Sequence, residues 1–218
     1  MTIGAAIHSV RAVPADQMGT VADWAARRKA PLHIHSSEQT GEVEQCLAVH
    51  GCTPTALMRD HGVLGARTTA VHATHLTERD VADLTGSATG VCFCPTTERD
   101  LGDGLPDLGA LQRAGVRLCT GIDSHVITHP LEELRALELD ERLRTGKRVV
   151  LATAEGRTPA EELWRIGSIE GAEAVGFADT GGQVALDADA PELALVAEEQ
   201  LLDAAVYSGS AAVLRAAP

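Results

Sequence analysis

The stretch PLHIHSSE, residues 31–38, sets the expectation for the fold. Its apolar residues alternate with two histidines, and alternate side chains of a β-strand lie on one face. The pattern therefore predicts a strand that ends in a polar turn containing Glu38. Helical patterns lie on both sides, at residues 15–29 and 41–50. A strand between two helices is typical of a βα unit in a mostly parallel sheet.

The same alternation of strand and helix extends outward over most of the chain. Strands are predicted at Ile3–His8, Pro31–His35, Thr69–His72, Gly90–Cys94 and Arg117–Ile122. Helices are predicted at Ala15–Lys29, Gly41–His50, Pro54–His61, Glu78–Leu84, Leu108–Ala114 and Leu131–Leu143, and another begins at Thr158. The fold class is therefore α/β. These strands fall short of the eight of a closed (β/α)₈ barrel, so the sheet is either open or part of a barrel.

Composition and charge exclude several classes of protein. The chain has 218 residues, with 31 acidic against 18 basic, a net charge of −13 that repels phosphate backbones and anionic lipids. A nucleic-acid partner is therefore not expected. No run of apolar residues is long enough for a bilayer span, so no membrane partner is expected. An odd set of five cysteines and no visible secretory signal favour a reduced, cytoplasmic location.

Three of the predicted strands end in residues that can bind a metal or move a proton. His35, followed by Glu38, ends the second strand, His72 ends the third and Asp123 ends the fifth. The carboxyl ends of parallel strands meet at one edge, where barrel enzymes build their active sites. Imidazole and carboxylate groups suit a divalent metal such as zinc. Against this, a strand-end histidine is commonly a surface side chain, and an Asp-Ser pair is often a helix cap.

With these residues in view, the sequence resembles the amidohydrolase superfamily and, within it, the formimidoylglutamate deiminase family. The motifs that carry the resemblance are HSVRAV at 8–13, HIHSSEQ at 33–39 with EV at 42–43, VHATHL at 71–76, CPTTE at 94–98 with LGDG at 101–104, and GIDSH at 121–125. The strand-end histidines and the D-S-H motif are common to the superfamily's deaminases. H-S-V-R and C-P-T-T-E…L-G-D-G are narrower and indicate this family.

The resemblance implies a fold and a metal site. Residues 1–176 would form an incomplete (β/α)₈ barrel of the TIM type, covering about strands 4 to 8. Residues 177–218 would be a degenerate remnant of a small β domain. The residue pattern of this segment by itself predicts a short strand at Gly181–Leu186 and a helix at Glu198–Val206. His35 and Asp123 would bind one Zn²⁺ ion, although iron suits the same ligand types.

The resemblance also implies roles for the remaining site residues. Glu38 would shuttle protons, His72 would polarise the substrate or stabilise charge in the transition state, and Asp123 would belong to the catalytic group as well as to the metal. His8 and Arg11 would bind a small anionic substrate. The implied reaction converts N-formimino-L-glutamate and water into N-formyl-L-glutamate and ammonia, a step of histidine degradation.

The sequence departs from the family pattern in one important respect. Family members carry an H-x-H pair on their first barrel strand, and nothing before His8 supplies it here. His33 and His35 do spell H-x-H, but the Glu at plus three assigns them to the fifth strand, where only His35 would bind metal. The chain therefore resembles the C-terminal part of the enzyme.

This departure leaves two alternatives open. One is another amidohydrolase deaminase, of the guanine or S-adenosylhomocysteine type. The other is a non-catalytic fragment that lacks the H-x-H ligands. The unpaired sheet edges of an incomplete barrel would favour self-association, so a homodimer is a further expectation.

Overall fold

A five-stranded parallel sheet forms the centre of the protein. The computed structural model describes residues 3–124, 127–152, 156–177 and 183–216. The strands are Ala5–Ser9 (β1), Leu32–Ser36 (β2), Thr68–His72 (β3), Gly90–Phe93 (β4) and Leu118–Thr120 (β5). They lie side by side in chain order, and every neighbouring pair is parallel. This is the order that consecutive βα units give in a barrel wall, and it confirms the predicted strands to within a few residues.

Helices connect the strands and cover one face of the sheet. They are Ala15–Arg28 (α1), Thr40–His50 (α2), Pro54–Asp60 (α3), Glu78–Ser87 (α4), Pro95–Leu101 (α5), Leu108–Arg113 (α6), Pro130–Thr145 (α7), Pro159–Arg165 (α8) and Gly171–Ala174 (α9), and a π-helical turn at Ile166–Glu170 joins the last two. The short helix α5 was not among the predicted helices. None of the helices within the described ranges is long and apolar enough to cross a membrane.

The main core lies between the sheet and these helices. Ile34, Val91 and Phe93 point to this side and are almost completely buried, and Leu84 of α4 packs into the same cluster. The other face of the sheet carries the histidines of β2. Alternation along the strands therefore separates an apolar face that holds the fold together from a polar face that carries the site.

Residues 183–216 form a small unit with different architecture. Val184–Leu186 (β6) pairs antiparallel with Leu214–Ala216 (β7), and helix Leu201–Ser208 (α10) packs on α7 and α8. Short 3₁₀ turns at Pro191–Leu193, Glu198–Gln200 and Ala211–Val213 connect them. The predicted strand and helix of this segment are present, although Gly181 and Gly182 of the predicted strand lie outside the described residues. The domain boundary at 176/177 remains a prediction.

The buried carboxylate of Glu162 joins helices α6 and α8. The side chain of Glu162 on α8 is 1% exposed, and it is bonded by Arg165 at 2.6 Å, Arg157 at 3.1 Å and Gln112 at 3.3 Å. Burial alone would raise the pKa of Glu162, but the hydrogen bonds and charge of Arg165, helped by the other two partners, lower it below its usual value. The ionised form of Glu162 therefore stabilises the folded protein.

Substitution Glu162→Gln removes this charge. We expect the resulting loss of unfolding free energy to depend on pH. A folded-state pKa below the usual 4.5 means that the stabilisation is present above that pH and disappears as the pH falls through the folded value. The variant should lose about 2 kcal/mol of unfolding free energy at pH 7, and the difference from the parent should shrink in acid. Urea unfolding at both pH values measures it, with exposed Glu199→Gln as the control. An equal loss at both pH values would contradict the prediction.

Candidate active site at the carboxyl ends of the strands

The parallel register brings the predicted site residues to one edge of the sheet. Ser9 lies opposite His35, and Ser36 lies opposite His72, so the last residues of β1, β2 and β3 are neighbours. An irregularity in the pairing between Ile7 and Ser9 falls at the end of β1. Such irregularities are common beside functional sites because they redirect a side chain.

His72 is the buried centre of this edge. It is fully buried, and its backbone adopts a left-handed conformation with φ 72°. Its Nδ1 bonds Glu98 Oε1 at 3.1 Å, whereas its Nε2 is buried without a hydrogen-bond partner. The same Nε2 lies 3.8 Å from both Glu38 Oε1 and Asp123 Oδ2. A buried imidazole nitrogen without a partner marks a position where a ligand atom would be favoured.

Charges around His72 oppose the effect of its burial. Burial alone would lower the pKa of His72, but the hydrogen bond and charge of Glu98, with the charges of Glu38 and Asp123, raise it above the usual value. The carboxylates thus favour the protonated ring. In that form Nε2 can donate a hydrogen bond to whatever occupies the site.

His35 presents one free ring nitrogen to the same space. Its Nδ1 donates to the carbonyl oxygen of His8 at 2.7 Å, which leaves Nε2 unprotonated in the neutral ring. Its ring stacks on that of His72, with centroids 5.5 Å apart and planes 19° apart. The ring centroid of His8 lies 5.3 Å from that of His35. A histidine whose second nitrogen is held by a backbone carbonyl is typical of metal ligands.

Glu38 and Arg11 form an ion pair at the entrance to the site. Nη2 of Arg11 donates to Glu38 Oε2 at 2.7 Å, and the Arg11 side chain is 34% exposed. The backbone N–H of Glu38 donates to Glu42 Oε2 at 3.0 Å, which fixes the turn after β2. Burial raises the pKa of Glu42 despite that bond and the charge of Arg11. Arg11 therefore binds Glu38 while several of its N–H groups remain free for a second anion.

Asp123 follows β5 with a left-handed backbone, φ 57°. Its carboxylate is one-third exposed and faces His72. The next residue is anchored, because the backbone N–H and the hydroxyl of Ser124 both donate to Oγ1 of Thr97 on α5, whose own hydroxyl donates to the carbonyl oxygen of Ile122. His125, the last residue of the D-S-H motif, lies outside the described residues. Left-handed non-glycine residues cost conformational energy, and four of them lie at this edge: Ser37, His72, Ala73 and Asp123.

The other histidines of the motifs have structural partners. Nε2 of His33 donates to the carbonyl oxygen of Ala174 at 2.8 Å, on α9. Nε2 of His75 donates to the carbonyl oxygen of Asp103 at 2.7 Å. The structure thus brings together His8, Arg11, His35, Glu38, His72 and Asp123. His33 instead bonds the backbone of Ala174.

Sequence reasoning missed the roles of two buried acids, Glu42 and Glu98. Both occur in the quoted motifs, but neither was assigned a function. Glu98 lies in the first turn of α5, where an acidic residue is expected to interact with the helix dipole. No local signal predicts its bond to His72, which is 26 residues away in sequence.

The donors at this edge match a metal site in type but not in number. His35 Nε2 and the Asp123 carboxylate are suitable ligands, and zinc sites in proteins use three or four such groups. Within the described residues, no group of three or more His, Cys, Asp or Glu side chains is placed to hold a metal ion. These side chains therefore form an incomplete ligand shell.

Comparison with known proteins gives the family. The sequence matches the Amidohydrolase family over residues 1–204. It is 33% identical over 215 residues to a formimidoylglutamate deiminase of Pseudomonas aeruginosa, covering 95% of this chain and 47% of that protein. It is 31% identical over 177 residues to a 5-methylthioadenosine/S-adenosylhomocysteine deaminase of Pelotomaculum thermopropionicum, covering 80% and 39%. The chain belongs to the amidohydrolase family, which confirms the resemblance.

Solved structures confirm the fold class. An amidohydrolase from Brucella melitensis superposes with a TM-score of 0.84 at 30% identity, covering 98% of this chain and 47% of that one. An adenosine deaminase from Xanthomonas campestris with bound zinc gives 0.82 at 26% identity, covering 91% and 47%. The sheet is part of a TIM-type α/β barrel. The chain spans about half the length of the curated relatives it matches.

The left-handed backbone at Asp123 is expected to lower the stability of the folded protein. Substitution Asp123→Gly removes the penalty of a Cβ at φ 57° and should raise the unfolding free energy by about 1 kcal/mol. The lost contact with His72 subtracts little, because the carboxylate is one-third exposed.

Urea unfolding measures this effect. The control is Asp189→Gly, at an exposed position without a positive φ, which should lose stability slightly because glycine has more freedom in the unfolded chain. An Asp123→Gly variant less stable than the parent would show that the backbone there is unstrained.

Proposed function

We propose that these residues belong to a hydrolase that removes the formimino nitrogen of N-formimino-L-glutamate, giving N-formyl-L-glutamate and ammonia. The observation that carries the proposal is the Arg11–Glu38 pair, which sets a partly free guanidinium next to a buried carboxylate at the mouth of the site. The substrate combines carboxylates with a reactive formimino carbon. It therefore needs both a cationic anchor and a proton carrier within a few ångströms of each other.

Arg11 would bind a substrate carboxylate. Its guanidinium has a planar fork of donors that fits a carboxylate with two parallel bonds, and one Nη2 bond to Glu38 leaves that fork available. His8, exposed beside His35, would contribute a further contact. This local cation offsets the net charge of −13, which would otherwise disfavour an anionic substrate.

Glu38 would carry the proton of the reaction. Water adds its oxygen to the formimino carbon, the C–NH₂ bond breaks, and ammonia leaves with a proton originating from the water. Glu38 accepts that proton and returns it to the departing nitrogen. Nε2 of His72, 3.8 Å from Glu38 Oε1, would meet the reacting group and stabilise its charge.

Zinc is the metal we propose for the whole protein. When bound, a zinc ion acidifies water so that it attacks at neutral pH. His35 and Asp123 are the two ligands that the described residues would contribute. Iron suits the same ligand types.

A second candidate is a deaminase that acts on a purine nucleoside. Similarity to the 5-methylthioadenosine/S-adenosylhomocysteine deaminase and the adenosine deaminase favours it. Aromatic residues, which stack on purine bases, make up only 2% of the chain and are absent from the side chains that meet at the site within the described residues. The Arg11–Glu38 pair therefore favours the anionic substrate.

Ligand binding to the chain distinguishes these candidates without requiring turnover. N-formyl-L-glutamate, the product, should bind in a calorimetric titration, and Arg11→Gln should weaken binding about tenfold or more. Arg67→Gln is the matched control, since Arg67 is exposed and precedes β3, at the opposite end of the sheet.

The outcomes separate the functions. Binding of S-adenosylhomocysteine in place of the product, insensitive to Arg11→Gln, would support the purine deaminase. Binding of neither compound would contradict the proposal and favour a non-catalytic fragment. Ammonia release from N-formimino-L-glutamate, measured with added zinc, tests the reaction itself.

A further inference from the structure

Glu98 is a buried acid that the reaction described above does not use. It lies on α5, its side chain is 5% exposed, and its Oε1 accepts two hydrogen bonds, from the backbone N–H of Cys94 at 2.8 Å and from Nδ1 of His72 at 3.1 Å. A carboxylate oxygen that already accepts a backbone bond serves the imidazole as an acceptor. Nδ1 of His72 must therefore carry the proton of this bond.

The bond to Glu98 determines which ring nitrogen of His72 faces the site. With Nδ1 committed to Glu98, the ring can turn only Nε2 toward the site, and Nε2 is the atom that has no partner and lies 3.8 Å from Glu38 and from Asp123. In a histidine, the hydrogen bond made by one ring nitrogen fixes the tautomer and the ring orientation, and so determines how the other nitrogen meets a ligand.

Glu98 is held rigidly enough to set this direction. Thr96, two residues earlier, is bonded through its backbone N–H and hydroxyl to the buried Glu133 of α7. Thr97, one residue earlier, donates to the carbonyl oxygen of Ile122 at 3.0 Å and bonds Ser124. The first turn of α5 is thus fastened to α7 on one side and to the end of β5 on the other. Supporting bonds of this kind keep a functional side chain in one geometry.

We propose that Glu98 is a positioning residue that fixes the ring of His72 with Nδ1 protonated and Nε2 directed at the substrate between Glu38 and Asp123. The role of Nε2 in catalysis rests on the proposed function. The orientation and tautomer of the His72 ring do not depend on the proposed function, because they follow from the contacts of Glu98 and His72 alone.

Nuclear magnetic resonance of the chain with ¹⁵N-labelled histidine tests the proposal. Two-bond proton–nitrogen correlations identify which ring nitrogen is protonated, at a pH high enough for His72 to be neutral, and the spectrum of His72→Gln assigns its signals. We expect His72 as the Nδ1–H form. Glu98→Gln, which keeps an acceptor oxygen, should retain that form. Glu98→Leu should shift it toward the Nε2–H form that free imidazole side chains favour.

Glu138→Leu is the matched control. It removes an equally buried carboxylate of α7 that bonds Arg142 and the backbone of Val150 and Leu151 rather than α5, so the His72 nitrogen signals should stay at their parent positions. Circular dichroism checks that each variant is folded.

Two results would overturn the proposal. One is an Nε2–H ring in the parent chain, and the other is a Glu98→Leu spectrum that matches the parent or moves no further than that of Glu138→Leu. Failure of N-formyl-L-glutamate to bind would refute the proposed substrate and leave this test unaffected.

Discussion

The parallel pairing of β2 with β3 is the constraint on which the rest of the site depends. It sets Ser36 beside His72, so that the turn carrying Glu38 and the buried imidazole emerge at the same level of the sheet. A shift of one residue would reverse the faces of β3 and move Ala70 out of the apolar core. The hydrophobic pattern of β3 and β4 excludes that shift, because Ala70, Val91 and Phe93 are buried against the helices.

Backbone strain and buried charge destabilise the folded protein at this edge of the sheet, and packing elsewhere offsets that cost. His72 and Asp123 have left-handed backbones, and Glu38, Glu42 and Glu98 are carboxylates buried close together. Such groupings persist only where the surrounding structure fixes them. Here the apolar layer between the sheet and the helices supplies the stability, and the hydrogen bonds of α5 hold the geometry. The strain and charge are concentrated where a substrate would meet the protein.

The strands and most helices could be predicted from the sequence because their signals are local. Alternation of apolar residues identified β2, and the helical periodicity and a Thr-Pro start located α1 and α8. The expected site residues converge for the same reason, since strand ends of a parallel sheet share one edge. Helix α5 was not predicted, because a helix of seven residues beginning at Pro95 has too few turns to show a helical period in the sequence.

Contacts between distant residues could not be predicted in this way. The bonds of Glu98 to His72 and of Arg11 to Glu38 join residues 26 and 27 positions apart. They depend on how the loops after different strands fold over the edge, which leaves no period in the sequence. Similarly, the contact of His33 with Ala174 spans 141 positions and depends on α9 reaching the sheet.

We propose that these strand ends gather proton-transferring and substrate-binding groups of an amidohydrolase, together with only part of a metal's ligand shell. Zinc content per chain tests it most directly, measured by mass spectrometry after zinc loading and extensive dialysis, with His35→Ala alongside. The incomplete shell of His35 and Asp123 predicts far less than one zinc per chain. About one zinc per chain, lost in His35→Ala, would contradict the account and show that the site completes its own ligand set.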